Sequence, residues 1–333
     1  MIDIARLPQR DRAELFLIAA RSMAVPPAIV EKDFWVCYVL DYLFHRSQFG
    51  AHLVFKGGTS LSKCYHLINR FSEDIDLILD WREIGYTLDE PWKERSINKQ
   101  NAFKLDTIKR TDDYLAHKFV PALLIGLTSE LGYAVKVYPA RVEETVIVEY
   151  PKEYEMSATL DVIRLEIGPL AAWTPTEDVS IQSYLAQQRQ VLFKAPTFNV
   201  RTAKPERTFW EKATILHQEA NRPEDQLMLS RYSRHYYDMH QLTHSPVKQI
   251  ALEDIALLDR VVAFKEKFYR TPWARLSEAK PGSMRLVPPA YRINELSKDY
   301  AAMQQMLIGE IPSLDVIIDS LKSLEAEING LLA

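Results

Sequence analysis

Apolar residues recur every three to four positions over residues 13–23 and again over 29–49, and the Pro26-Pro27 pair separates the two runs. This predicts two opening helices. The period then shortens: residues 52–55 read as a strand, Gly57-Gly58 as a turn, residues 60–68 as a helix and residues 73–79 as a second strand. The charge-rich, turn-forming stretch 81–99 predicts a loop leading into a long helix over 101–131. β-Branched alternation at 133–138, 144–150, 159–167 and 198–201 adds further strands. Together with the first two they make a mixed sheet. From Pro205 onward the pattern is helical: 206–219, 225–242, 252–268, a loop through Pro281-Gly282-Ser283, then helices to the C-terminus. The expected class is therefore α+β, with residues 1–203 carrying the sheet and 204–333 forming a helical domain.

Composition changes this picture little. With 333 residues the chain can bury a large core, and 47% hydrophobic with 26% charged residues is ordinary for a folded protein. A net charge of −4 and a pI near 6.1 give no overall attraction to nucleic acid, so a polyanionic partner needs a local basic surface. The basic residues between Lys93 and Lys118 offer one, or are a solvated helix face. Cys37 and Cys64 stand apart in apolar surroundings and read as reduced, buried thiols. Charges are interleaved through residues 1–17, and no uninterrupted apolar run reaches membrane-spanning length. A cytoplasmic protein with no membrane partner is expected.

The chemistry concentrates in two short runs, Lys56-Gly57-Gly58-Thr59-Ser60-Leu61 and Arg70-Phe71-Ser72-Glu73-Asp74-Ile75-Asp76-Leu77. Alternation along a strand puts Asp74 and Asp76 on one face and Ile75, Leu77 and Leu79 on the other. Carboxylates so spaced can share divalent cations. The two glycines leave backbone N–H groups open to phosphate, and a helix starting after them aims its positive end at an anion. Nucleotidyl transfer with two metal ions asks for a third acid on a neighbouring strand. Glu166, in Leu165-Glu166-Ile167, interrupts an apolar strand end and fits that need better than Asp161, which sits at the strand entrance. Without these neighbours the aspartates would read as the solubilising acids of an exposed strand edge.

In the helical half, the run from Pro205 to His217 begins a helix carrying Arg207 and Lys212, and Arg234-His235-Tyr236-Tyr237-Asp238 places Asp238 one turn after Arg234. Spacing alone reads these as surface ion pairs, and His217, His235 and His240 as polar packing without a metal-ligand pattern.

Taken in order, these runs, with Glu31-Lys32-Asp33-Phe34-Trp35-Val36 before them, resemble the AbiEii/AbiGii toxin family of nucleotidyltransferases. The resemblance spans residues 31 to about 238. It implies a polymerase-beta-like nucleotidyltransferase fold and places Lys212 and Asp238 in later motifs on which activity depends. It also implies the toxin half of a toxin–antitoxin or phage-defence pair, with a cognate antitoxin, and in some members addition of nucleotides to the 3′ end of tRNA. On this reading Asp74, Asp76 and Glu166 hold two Mg²⁺ ions. Gly57, Gly58, Thr59 and Ser60 cradle the phosphates of an NTP, Lys212 adds positive charge at the triphosphate, and Asp238 orients the sugar or Lys212 itself. The interval between Gly58 and Asp74 is longer than in compact nucleotidyltransferases, which leaves Ser60, Lys63 and Arg70 open as contacts. Two other readings keep parts of this site: a protein hydroxyl as acceptor, or an NTP-binding regulatory protein that does not turn over.

Overall fold

The structure is a computed structural model, and it describes every residue except 73, 156–160, 170–174 and 332–333. Its backbone divides into two compact units. The first comprises Met1–Cys64, Phe71–Ala171 and Thr176–Thr202; the second comprises Tyr65–Arg70, Ala172–Pro175 and Ala203–Ala333.

The first unit is built on a seven-stranded mixed sheet. In chain order its strands are β1 (Leu53–Lys56), β2 (Asp74–Leu79), β3 (Lys136–Pro139), β4 (Thr145–Glu149), β5 (Ile163–Gly168), β6 (Thr176–Ile181) and β7 (Phe198–Ala203), and across the sheet they run β3-β4-β5-β2-β1-β7-β6. β2 lies antiparallel to β1 and parallel to β5, and β4 is antiparallel to β5. Helices α1 (Ile2–Ala5), α2 (Gln9–Met23) and α3 (Pro27–His45) precede the sheet, and α4 (Gly57–Lys63) joins β1 to β2. The long helix expected over 101–131 starts earlier and is interrupted: α5 (Ile97–Tyr114) passes through a π-helical turn, Leu115–Phe119, into α6 (Val120–Leu131). The wide turn lies just before Pro121, whose ring and missing N–H an unbroken α-helical ladder could not take. A short α7 (Tyr184–Gln188) completes the unit.

Helix α3 is buried nearly all round, charged residues included. Buried charge must be paired, and here each pairing fixes another segment. The Glu31 carboxylate accepts the backbone N–H groups of Glu153 and Tyr154 at 2.8 and 2.9 Å. Asp33 accepts Lys63 Nζ at the end of α4 and the Tyr184 N–H at the start of α7, each at 2.6 Å. The motif that opens the family resemblance is thus a bracket for the helix after the glycine turn. Lys63, buried and committed to Asp33, is not a surface available to phosphate. Cys37 and Cys64 are free and buried, and burial pushes the Cys64 thiol up to about 12.

The second unit is helical: α8 (Pro205–Ala220), α9 (Ser233–Thr243), α10 (Val247–Glu253), α11 (Ile255–Phe268), α12 (Ile293–Met303) and α13 (Leu314–Gly330). Helix α9 starts at Ser233, later than the apolar period from 225 predicts, and a break at Asp254 separates α10 from α11. No single helix among the described residues is long and apolar enough to cross a membrane.

Candidate active site

The strand register assembles the acids. Asp76 lies directly beside Glu166 on the parallel neighbour, and Asp74 beside Arg164. Residues opposite each other in a ladder share a face, so Asp74, Asp76, Arg164 and Glu166 all project from one side of the sheet, with Lys56 across from Asp76 on β1. The other side carries Phe55, Ile75, Leu77, Leu165 and Ile167, all fully buried. That apolar face fixes the register, because a slip of one residue would turn every acid into the core. Asp161, the alternative third acid, pairs with Lys152 at 2.6 Å in an exposed position before β5 begins.

The glycine turn is fitted to this face. Gly57 has φ +80°, and a β-carbon placed on it would lie 1.9 Å from Asp76 Oδ2. Only glycine allows both the left-handed backbone and so close an approach of the carboxylate. Helix α4 starts on the glycines themselves, earlier than the period suggests. Thr59 Oγ1 donates to the Asp74 carbonyl and Ser60 Oγ to the Gly57 carbonyl at 2.9 Å, both side chains being buried. The Thr59 hydroxyl ties the turn to β2 and the Ser60 hydroxyl closes the turn on itself, so what the turn presents to a ligand is backbone.

Two side chains on this face escape a search for paired acids. Arg164 Nη2 sits 2.9 Å from Glu166 Oε1. Glu144, just before β4, has φ +55°, and its carboxylate lies over Gly168, where a β-carbon would meet it at 3.7 Å. Burial, helped by Asp112 and Glu143 and opposed by Lys104 and Lys56, pushes this carboxyl up to about 7. A positive φ at a residue other than glycine, next to a glycine on the facing strand, was the available signal, and it is visible only in coordinates.

The fit to magnesium follows from the donor set. Hard carboxylate oxygens at i and i+2 suit Mg²⁺, which is held by one or two carboxylates together with substrate phosphates, and less often by a full protein cage. Among the described residues no three acidic, histidine or cysteine side chains close by themselves around a metal ion.

In the helical unit, Lys212 and Asp238 meet in a buried ion cluster. Asp238 accepts Lys212 Nζ at 2.7 Å and is held at both oxygens by Arg70, Nε at 2.6 Å and Nη2 at 2.8 Å. Burial opposes ionisation of Asp238, yet the two cations outweigh it and hold its carboxyl well below the usual range. Burial, with Arg70 and Arg234 nearby, lowers the Lys212 ammonium. His235, buried beside Lys212 and Arg234, is kept neutral. The turn-spaced Arg234–Asp238 pair expected from sequence is thus replaced by Arg70 and Lys212. His217 accepts the Arg285 N–H at Nδ1 and contacts the Arg275 carbonyl through Nε2, and His240 Nδ1 meets Ser320 Oγ; both are packing groups.

The basic stretch of the first unit is largely paired: Lys93 and Arg95 with Glu90, Arg110 with Asp106, Lys118 with Glu83.

A family model described as "Nucleotidyl transferase AbiEii toxin, Type IV TA system" matches residues 39–324. Among solved structures, MenT4, a nucleotidyltransferase toxin from Mycobacterium tuberculosis H37Rv, is similar at a TM-score of 0.50 and 16% identity, covering 94% of this chain and 89% of its own. The structure of JHP933 from Helicobacter pylori aligns at a TM-score of 0.43 and 17% identity, covering 91% of this chain and 93% of its own. No curated protein sequence matches the chain.

Proposed function

The chain belongs to the AbiEii family of nucleotidyltransferase toxins, and from that premise we propose that it moves an NMP from an NTP onto the 3′ end of an RNA, tRNA first among candidates, so blocking translation. The supporting observation is the shared face of Asp74, Asp76 and Glu166, with Gly57 moulded against the Asp76 carboxylate. On this reading Asp74, Asp76 and Glu166 would hold two Mg²⁺ ions. Mg²⁺ bound there would supply positive charge to offset the charge on the transferred phosphoryl. The protein contributes position: the Gly57-Gly58 turn lets phosphate oxygens approach backbone N–H groups of residues 57–60, and the buried side of β2 and β5 keeps the acids from drifting. Lys212 and Asp238 serve as one unit, Asp238 fixing both the Lys212 ammonium and the Arg70 guanidinium. The antitoxin that restrains such a toxin, and a cytoplasmic setting for both, belong to the same proposal.

The test is to incubate the protein with labelled NTPs, Mg²⁺ and total RNA beside an Asp76→Ala control. Label should enter RNA, and the substitution should lower the rate by about 10³-fold or more, the loss of several kcal/mol of transition-state stabilisation. Transfer that survives the substitution overturns the assignment. Label that resists RNase and stays with protein identifies a protein hydroxyl as acceptor. Nucleotide binding without pyrophosphate release identifies a regulatory protein.

A further inference from the structure

Arg164 stands two residues before Glu166 on β5, on the same face, and directly beside Asp74 on β2. Its guanidinium reaches the Glu166 carboxylate at 2.9 Å, and the two side chains are 27% and 42% exposed. The contact is therefore open to an arriving ligand and, being partly solvated, weak enough to break.

We propose that Arg164 is a built-in counter-ion of the acidic face: it holds Glu166 while no divalent cation is bound and transfers to the triphosphate when metal and nucleotide arrive together. This rests on the reading of that face as the metal and nucleotide site.

Three carboxylates projecting from neighbouring strands, whose backbones run about 4.8 Å apart, repel one another. A guanidinium rooted in the same strand relieves that repulsion without help from solution. The relief carries a penalty for a bare divalent ion, which must displace Arg164 from Glu166 as well as shed water. A metal–triphosphate complex meets no such penalty, because its anionic oxygens offer the released guanidinium a bidentate partner as good as the carboxylate it leaves. Arg164 thereby makes the face selective for a cation delivered with nucleotide over the same cation alone. Its place beside Asp74 puts the freed guanidinium within the same cluster of groups, so the exchange asks for a side-chain rotation and no backbone movement.

Mn²⁺, followed by electron paramagnetic resonance on the full chain, is a suitable probe, used alone and then with an α,β-methylene NTP that cannot transfer its NMP. Arg164→Gln should bind Mn²⁺ alone about ten-fold more tightly than wild type, as expected when one opposing charge leaves a partly solvated site. Arg164→Lys, which keeps the charge, should stay near wild type. The gain should vanish in Arg164→Gln/Glu166→Gln, and with Mn²⁺ present Arg164→Gln should bind the methylene NTP about ten-fold more weakly. Unchanged Mn²⁺ affinity in Arg164→Gln, or a gain that persists without Glu166, overturns the proposal. Asp76→Asn separates the two failures: if it leaves Mn²⁺ binding at the wild-type level, the reading of the face is wrong; if it abolishes binding while Arg164→Gln changes nothing, only the counter-ion role falls.

Discussion

On the sheet, Asp74, Asp76 and Glu166 stand half-buried on one face, with Arg164 paired to Glu166, whereas in the helical unit Asp238 is completely enclosed, with Arg70 and Lys212 as its partners. The first arrangement leaves carboxylate oxygens within reach of a ligand. The second satisfies its own charges and keeps water out. A buried ion cluster is expensive to disrupt, because removing one member strands the others in a low-dielectric interior. Half-exposed acids held on a strand can be removed at little cost to folding. On the proposed function an aspartate of either region is needed for activity, but for a different reason in each, so loss of activity alone would not tell them apart.

The largest effect that sharpens this contrast is on stability. Asp238→Ala should cost about 3–5 kcal/mol, read from the urea midpoint, because Arg70 and Lys212 lose their common anion. Asp76→Ala should change it by less than about 1 kcal/mol while abolishing transfer. Equal destabilisation by the two would break the comparison. Next comes Gly57→Ala, expected to cost about 2–3 kcal/mol, since the new methyl group both strains a left-handed backbone and collides with the Asp76 carboxylate. A variant that melts like wild type would show that the turn does not press on the acid.

The smallest effect is a pH dependence. The Glu144 carboxyl is raised from 4.5 to about 7, so the folded state favours its protonated form. That contribution is complete below about pH 4.5 and is lost as pH rises through about 7. Between pH 5 and 8 the loss should be about 1–2 kcal/mol after allowing for partial solvation, and Glu144→Gln, which mimics the protonated form, should flatten the profile. An unchanged profile in that variant would assign the dependence elsewhere.

The unit of β1, glycine turn, α4 and β2 was legible because alternation and glycine both act locally, and the pairing of Glu166 with Asp76 followed from placing one acid in an apolar strand. β6 was not legible: Thr176-Glu177-Asp178-Val179-Ser180-Ile181 lies at the sheet edge with its middle exposed, so no apolar alternation marks it. Glu144 was hidden for a geometric reason. Strict alternation places it on the side of Val146, and only its positive φ swings the carboxylate over Gly168. Arg70 could not be matched to Asp238 by any local rule, since 168 residues separate them. Part of the strand ending at Ile167 was expected to begin at 159, and residues 159 and 160 lie outside the described residues.

The contact between Gly57 and Asp76 bears on how cells carrying this toxin can escape it. Every single-base missense change in a glycine codon adds a β-carbon, so at position 57 each such change drives an atom into the Asp76 carboxylate, whatever the incoming residue. Among clones selected to survive expression of the toxin without its antidote, that codon should be a recurrent address for lesions of many chemical kinds.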